Sequence, residues 1–220
     1  MTATHPQTSI ERIGIDESGK GDYFGPLVIA AVFVDAVTQG ELALMQVRDS
    51  KKISDGRILE MAPDIRSICP HSIVAIGPQK YNELYAKIKN LNRLLAWGHA
   101  RALENLLDKV SCARAISDQF GDKRLILNAL QAKGRTIVLE QRPKAESDIA
   151  VAAASILARA EFLIRLKRLS KDVGTTLPKG ASATVELAAR MVIKKHGQER
   201  LRHVAKMHFK TTQAVLAGLA

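Results

Sequence analysis

Ile13-Gly14-Ile15-Asp16-Glu17-Ser18-Gly19-Lys20-Gly21-Asp22-Tyr23-Phe24-Gly25-Pro26-Leu27-Val28-Ile29-Ala30-Ala31-Val32-Phe33-Val34 is the stretch that decides the fold of this 220-residue chain. The apolar residues on either side read as strands, over Glu11–Asp16 and Leu27–Val34. Between them the glycines tolerate backbone conformations that other residues avoid, so a hairpin is expected. Two carboxylates sit where the first strand ends. Successive strand residues point to opposite faces of a sheet, so for Asp16 and Glu17 to face one ligand the chain is expected to turn at Glu17, with Gly19 and Gly21 making that turn sterically cheap.

Carboxylate oxygens are hard ligands suited to Mg²⁺ or Mn²⁺, and a lysine beside a flexible backbone suits a phosphate. A metal-dependent phosphodiesterase is the first function this suggests. The same residues nearly spell a P-loop, G-x-x-x-x-G-K from Gly14 to Lys20. However, Gly21 stands where that motif needs a hydroxyl, and Asp16 and Glu17 would repel phosphates from inside the cradle. The dinucleotide fingerprint also fails, because Gly19, Gly21 and Gly25 are spaced one residue too long. A plain hairpin with solvated acids is the remaining alternative.

Outward from this hairpin, Asp49-Ser50-Lys51-Lys52 reads as a polar loop and Ser54 as the cap of a helix running to about Ile65. Ser72–Ile76 is a short strand, followed after Gly77-Pro78 by helices over about Gln79–Lys87 and Asn90–Val110, the latter with a leucine stripe for the core. A strand at Ala113–Ser117 ends on Asp118. Then come a helix over about Lys123–Ala132, a strand at Thr136–Glu140 and a long helix over Ser147–Leu169, whose first half, Ile149–Ala158, is small or apolar and must be buried. After Pro178–Ser182 a further helix covers about Ala183–Lys195. Strands alternating with helices indicate an α/β layer fold with an antiparallel start and later crossovers. Residues 1–220 are expected to form one catalytic domain, with 183–220 a helical, basic C-terminal extension of it.

Lys and Arg number 33 against 22 acids, a formal charge of +11, which favours a polyanionic partner. No apolar run is long enough to span a bilayer and Met1–Ile10 holds no signal-peptide core, so no membrane partner and a cytoplasmic location are expected. Cys69 and Cys112 form no C-x-x-C, and both are expected to pack as small apolar residues. The histidines are scattered, and the spacing of His196, His203 and His208 is no metal signature. Between Arg190 and Lys210 stand Arg190, Lys194, Lys195, Arg200, Arg202, Lys206 and Lys210 against Glu199 alone, a surface suited to phosphate backbone.

Ligands at the ends of neighbouring strands converge on one cleft in α/β sheets, which groups Asp118 with Asp16 and Glu17. A fourth acid would come from Asp122, Glu146 or Asp148. Each of these also has an ordinary use as a helix cap or helix N-terminal charge, so the residues alone leave the choice open.

The chain resembles the type 2 ribonucleases H, and most closely bacterial ribonuclease HIII. The resemblance rests on Gly14–Val28, Asp49-Ser50-Lys51, Asp118-Gln119-Phe120, Lys144-Ala145-Glu146, Val151–Ile156 with Ala158-Arg159, Leu177–Ser182 and Lys206–Thr211. It implies a ribonuclease-H-like mixed sheet flanked by helices, and endonucleolytic hydrolysis of the RNA strand of RNA–DNA hybrids with two divalent cations, Mg²⁺ or Mn²⁺. By matched position it makes Asp16, Glu17, Asp118 and Glu146 the catalytic, metal-holding acids. The substrate-binding residues it implies are Gly19, Lys20, Gly21, Ser50 and Lys51. Lys20 in Gly-Lys-Gly, where ribonuclease HII has Gly-Arg-Gly, points to the HIII branch. That branch usually carries an N-terminal substrate-binding domain, which this sequence is expected to lack. No obligate protein partner is inferred, and no histidine enters this scheme. Two rival functions remain: a non-catalytic nucleic-acid-binding module and a P-loop-like nucleotide hydrolase.

Overall fold

The computed structural model describes residues 10–131 and 134–218. The expectations for Met1–Ser9, for Ala132 at the end of one predicted helix, and for residues 219–220 of the C-terminal extension fall outside these. Strands β1 (Arg12–Ser18) and β2 (Leu27–Val34) make the expected antiparallel hairpin, paired from Arg12 with Val34 to Ser18 with Val28. β2 has the bounds read from sequence because it lies inside the sheet, with β3 (His71–Ile76) on its other edge, so both its faces are apolar. β4 (Arg114–Asp118) and β5 (Val138–Arg142) continue in parallel from the free edge of β1. Among the described residues one sheet forms, in the order β3-β2-β1-β4-β5.

The expected turn at Glu17 does not occur. β1 keeps its ladder through Glu17 and Ser18, and the backbone leaves extended geometry only at Gly19, where φ is 90°. Gly25 also takes a positive φ, 84°, whereas Gly21 does not.

The two faces of β1 meet different helices. Ile13 and Ile15, with Leu27, Ile29 and Ala31, pack against Leu94, Leu95 and Leu103, residues from the helix Leu91–Leu107 capped by Asn90. Gly14 faces the long helix Ile149–Asp172, in which Val151–Ala158 are all buried, as the small, apolar first half predicted. A Cβ at Gly14 would stand 2.1 Å from the Ala150 carbonyl carbon, so this glycine lets the helix backbone rest directly on the strand.

The other helices are Ala36–Leu44, Asp55–Ile68, Pro78–Ile88, Lys123–Ala129, Ala183–His196, Leu201–Val204 and Lys210–Ala217. In chain order they and the two above are α1 to α9, with Leu91–Leu107 as α4 and Ile149–Asp172 as α6. Val185, Val192, Leu201, Val204 and Val215 join the same core cluster as Tyr23 and Phe24, which places helices α7 to α9 beneath the glycine turn. Tyr23 and Phe24 are fully buried there. Among the described residues no helix is long and apolar enough to cross a membrane.

Candidate active site

Parallel pairing sets Ile15 beside Ser117, so the next residues along, Asp16 of β1 and Asp118 of β4, emerge together at the C-terminal ends of two neighbouring interior strands. Asp16, Glu17 and Asp118 line a cleft of about 490 Å³ with Gly19, Lys20, Gly21, Ser50, Lys51, Arg159 and Lys179. Burial first, then the charge of Glu17 and more weakly that of Asp118, push the Asp16 carboxyl well above its ordinary range; the Glu17 N–H, 2.8 Å from Asp16 Oδ1, and Lys51 pull the other way. A carboxylate held this way gains from any added positive charge.

Glu17 leaves β1 on the face opposite Asp16. Its Oε2 lies 3.0 Å from Nε2 of His99, a fully buried residue of α4, and its Oε1 lies 3.7 Å from Lys20 Nζ. Burial alone would raise the Glu17 carboxyl, but the His99 hydrogen bond and charge, with Lys20, bring it below its ordinary value. Sequence reading gave no histidine a part here. The available signal was position, since His99 shares a helical stripe with Leu95, Leu103 and Leu106, all buried.

Glu146 stands on the short turn Ala145–Ser147, entered through Lys144 in the left-handed conformation at φ 56°. The Ala145 N–H donates to Asp118 Oδ1 at 3.3 Å, which ties this turn to the cleft. Glu146 itself lines an adjoining cavity of about 400 Å³ with Arg48, Asp49, Lys52 and Lys144. Its two rivals are committed elsewhere. Asp122 caps α5 and pairs with Arg124, while Asp148 caps α6 and pairs with Arg12 at 2.7 Å. Among the described residues no three His, Cys, Asp or Glu side chains already enclose a common point. The donor set is nevertheless all carboxylate oxygen, and the repulsion on Asp16 calls for cations, so these residues fit hard divalent ions.

Around the cleft the loops are fastened from α6. Ser155 Oγ accepts from the Ser50 N–H at 3.2 Å, and Arg159 donates to the Ser50 carbonyl at 2.7 Å and to Asp55. Asp49 caps the same turn through the Lys51 N–H. Across the cleft Lys179 meets Asp55, and the Gly180 N–H donates to Asp22 at 2.6 Å.

The expected basic surface over Arg190–Lys210 needs correction. Lys206 is fully buried; its ammonium donates to the carbonyls of Asp22 at 2.7 Å and Gly25 at 2.8 Å, and burial brings its pKa down to about 7. Arg190 binds the carbonyls of Gly218 and Ala214, and Lys195 binds that of Gly174. The Lys206 ammonium is thus withdrawn from any phosphate by buried main-chain oxygens, whereas Arg190 and Lys195 make their contacts at the surface and Lys194 and Lys210 stay exposed.

A P-loop leads from strand to helix, whereas this glycine turn leads from β1 into the antiparallel β2. The ribonuclease HII family profile matches residues 13–212. Ribonuclease HIII of Protochlamydia amoebophila is 49% identical over 216 residues, covering 97% of this chain and 72% of that protein. Ribonuclease HIII of Chlamydia pneumoniae is 45% identical, covering 99% and 75%. Among solved structures, Bst-RNase HIII in complex with Mn²⁺ superposes with a TM-score of 0.89 at 37% identity, over 99% of this chain and 75% of that one. The ribonuclease H2 of Pyrococcus horikoshii shares the fold, with a TM-score of 0.78 at 21% identity over 94% and 98% of the two chains.

Proposed function

This chain belongs to the ribonuclease HII family, alongside ribonucleases HIII that match nearly its whole length, and on that premise we propose that Asp16, Glu17, Asp118 and Glu146 cut the RNA strand of RNA–DNA hybrids with two divalent cations. The activity is that of a ribonuclease H, and Mg²⁺ or Mn²⁺ is the cofactor, the latter held by the similar Bst-RNase HIII. Asp16, Glu17, Asp118 and Glu146 would hold the divalent ions, whose chemistry there would be the ionisation of a water and relief of charge on the departing 3′ oxygen. Everything else falls to the protein. Asp16, between Glu17 and Asp118, holds the centre of the negative charge. Gly19, Lys20 and Gly21 present backbone and one cation to the RNA strand, and Lys51, on the turn that Ser50 anchors, presents a second cation, all lining the same cleft. Contacts to the 2′-hydroxyl across a wide, shallow minor groove would select RNA.

The observation that carries this reading is the meeting of Asp16, Glu17 and Asp118 in one cleft, with the half-buried Asp16 set against like charge. Labelled RNA–DNA hybrid, RNA duplex, DNA duplex and a duplex with one ribonucleotide, each incubated with Mg²⁺ or Mn²⁺, test it. Cleavage of the hybrid is expected, and its loss in Asp16→Asn while hybrid binding persists. Wild-type cleavage by Asp16→Asn would overturn the assignment.

A further inference from the structure

Because β1 stays regular through Ser18, Asp16 and Glu17 leave the strand on opposite faces. Asp16 emerges on the side of α6. Glu17 shares the side of Ile13 and Ile15, whose neighbours are the leucines of α4. A carboxylate entering that apolar layer needs a partner within it, and the layer contains one fully buried imidazole, His99.

We infer that His99 is a positioning residue, which fixes the Glu17 carboxylate at the mouth of the cleft from the far face of the sheet; this rests on the reading of Glu17 as a cation ligand. An ionised carboxylate only accepts hydrogen bonds, so the 3.0 Å contact is His99 Nε2–H donating to Glu17 Oε2. The ring's other nitrogen, Nδ1, lies 3.2 Å from Ser117 Oγ, and that hydroxyl is 3.0 Å from the main-chain oxygen of Asp118. Phe120 packs on the ring with centroids 4.7 Å apart. Held at both nitrogens and one face, the imidazole has no freedom to follow the carboxylate. Glu17 must settle on it instead.

Two consequences follow for the chemistry. The contacts link Glu17 of β1, through α4, to the backbone of Asp118 on β4, so two of the acids are set relative to each other by a side chain that touches neither substrate nor cation. In addition, His99 occupies Oε2 and leaves Oε1, the oxygen approached by Lys20, to bind outward. Oε1 is thereby the oxygen of Glu17 that carries no hydrogen bond from the ring. A histidine that merely filled the core would require none of this alignment.

The test measures Mn²⁺ binding without substrate, from the loss of the free-ion electron paramagnetic resonance signal, beside kinetics on the hybrid. Outer partners of metal ligands are worth about 10- to 100-fold in affinity or activity, so His99→Phe is expected to weaken Mn²⁺ by about that factor and lower kcat, with KM for the hybrid unchanged. His99→Gln, which keeps an N–H donor, is expected to recover most of the loss. Wild-type Mn²⁺ affinity and kcat in folded His99→Phe would overturn the inference. If circular dichroism shows that His99→Phe does not fold, Ser117→Ala decides, since it frees Nδ1 and leaves Glu17 intact: weakened Mn²⁺ binding supports the inference and unchanged binding overturns it. Glu17→Gln runs in parallel. Unaltered Mn²⁺ binding in that variant would sink the assignment of Glu17 itself, whereas weakening there with none at His99 would overturn the role of His99 alone.

Discussion

Gly21 is the glycine of the turn whose bare backbone the fold does not explain. A Cβ at Gly19 would sit 2.1 Å from the Pro26 carbonyl oxygen, and Gly19 and Gly25 both need positive φ, but a Cβ at Gly21 would meet nothing within 4 Å. The space it leaves open faces the cleft, where a nucleic-acid backbone could come close. Gly21→Ala is therefore expected to keep stability within about 0.5 kcal/mol, as surface changes do. Its KM for the hybrid should rise several-fold with kcat held, and urea denaturation beside steady-state kinetics checks both. At this scale the acids were legible because Asp16, Glu17 and Asp118 terminate recognisable strands. The His99 contact was not, since it joins residues 82 apart and depends on which helix covers which face. The fate of Lys206 was equally hidden, because a lysine that fastens carbonyls and one that faces phosphate look identical in a list of charges.

The contact between β1 and α6 is the element-scale feature on which the cleft depends. Gly14→Ala would drive a methyl group into the Ala150 main chain, which cannot rotate away as a side chain would. Overpacking usually costs about 1–3 kcal/mol, and a clash with backbone belongs at or above the upper end of that range. The expected result is a urea midpoint lowered accordingly, with cleavage reduced because α6 also carries Ser155 and Arg159, the anchors of the Ser50 turn. The buried half of α6 and strand β2 were readable because each is continuously apolar. Helix α1 was missed: Ala36–Leu44 contains Gly40 and β-branched residues that weaken a helical pattern, and it relies on a capping box between Asp35 and Thr38. The supposed turn at Glu17 failed for a related reason. Ladder pairing with β2 outlasts the expected strand end at Asp16 by two residues.

For the molecule as a whole, the net charge pointed to a polyanion, and beside the exposed Lys194 and Lys210 the structure offers a second group of cations near the cleft. Arg48, Lys52 and Lys144 line the cavity beside Glu146 and have no acidic partner among the described residues. Replacing the three with Gln in an Asp16→Asn background, where cleavage cannot interfere, should weaken hybrid binding; each phosphate that is no longer neutralised should flatten the slope of log affinity against log salt by about 0.7–0.9. Fluorescence anisotropy over a salt series reads that slope. Strand alternation made the mixed sheet legible, whereas the arrangement that brings α7 to α9 under the glycine turn was not, because apolar helices carry no address. That arrangement has a consequence for biosynthesis. The five strands of the described residues are complete once Arg142 has been made, yet the glycine loop proposed to receive substrate is latched by Gly180 and Lys206. A nascent polypeptide can thus close its sheet on the ribosome well before it is able to grip a hybrid, and nuclease competence arrives late in translation.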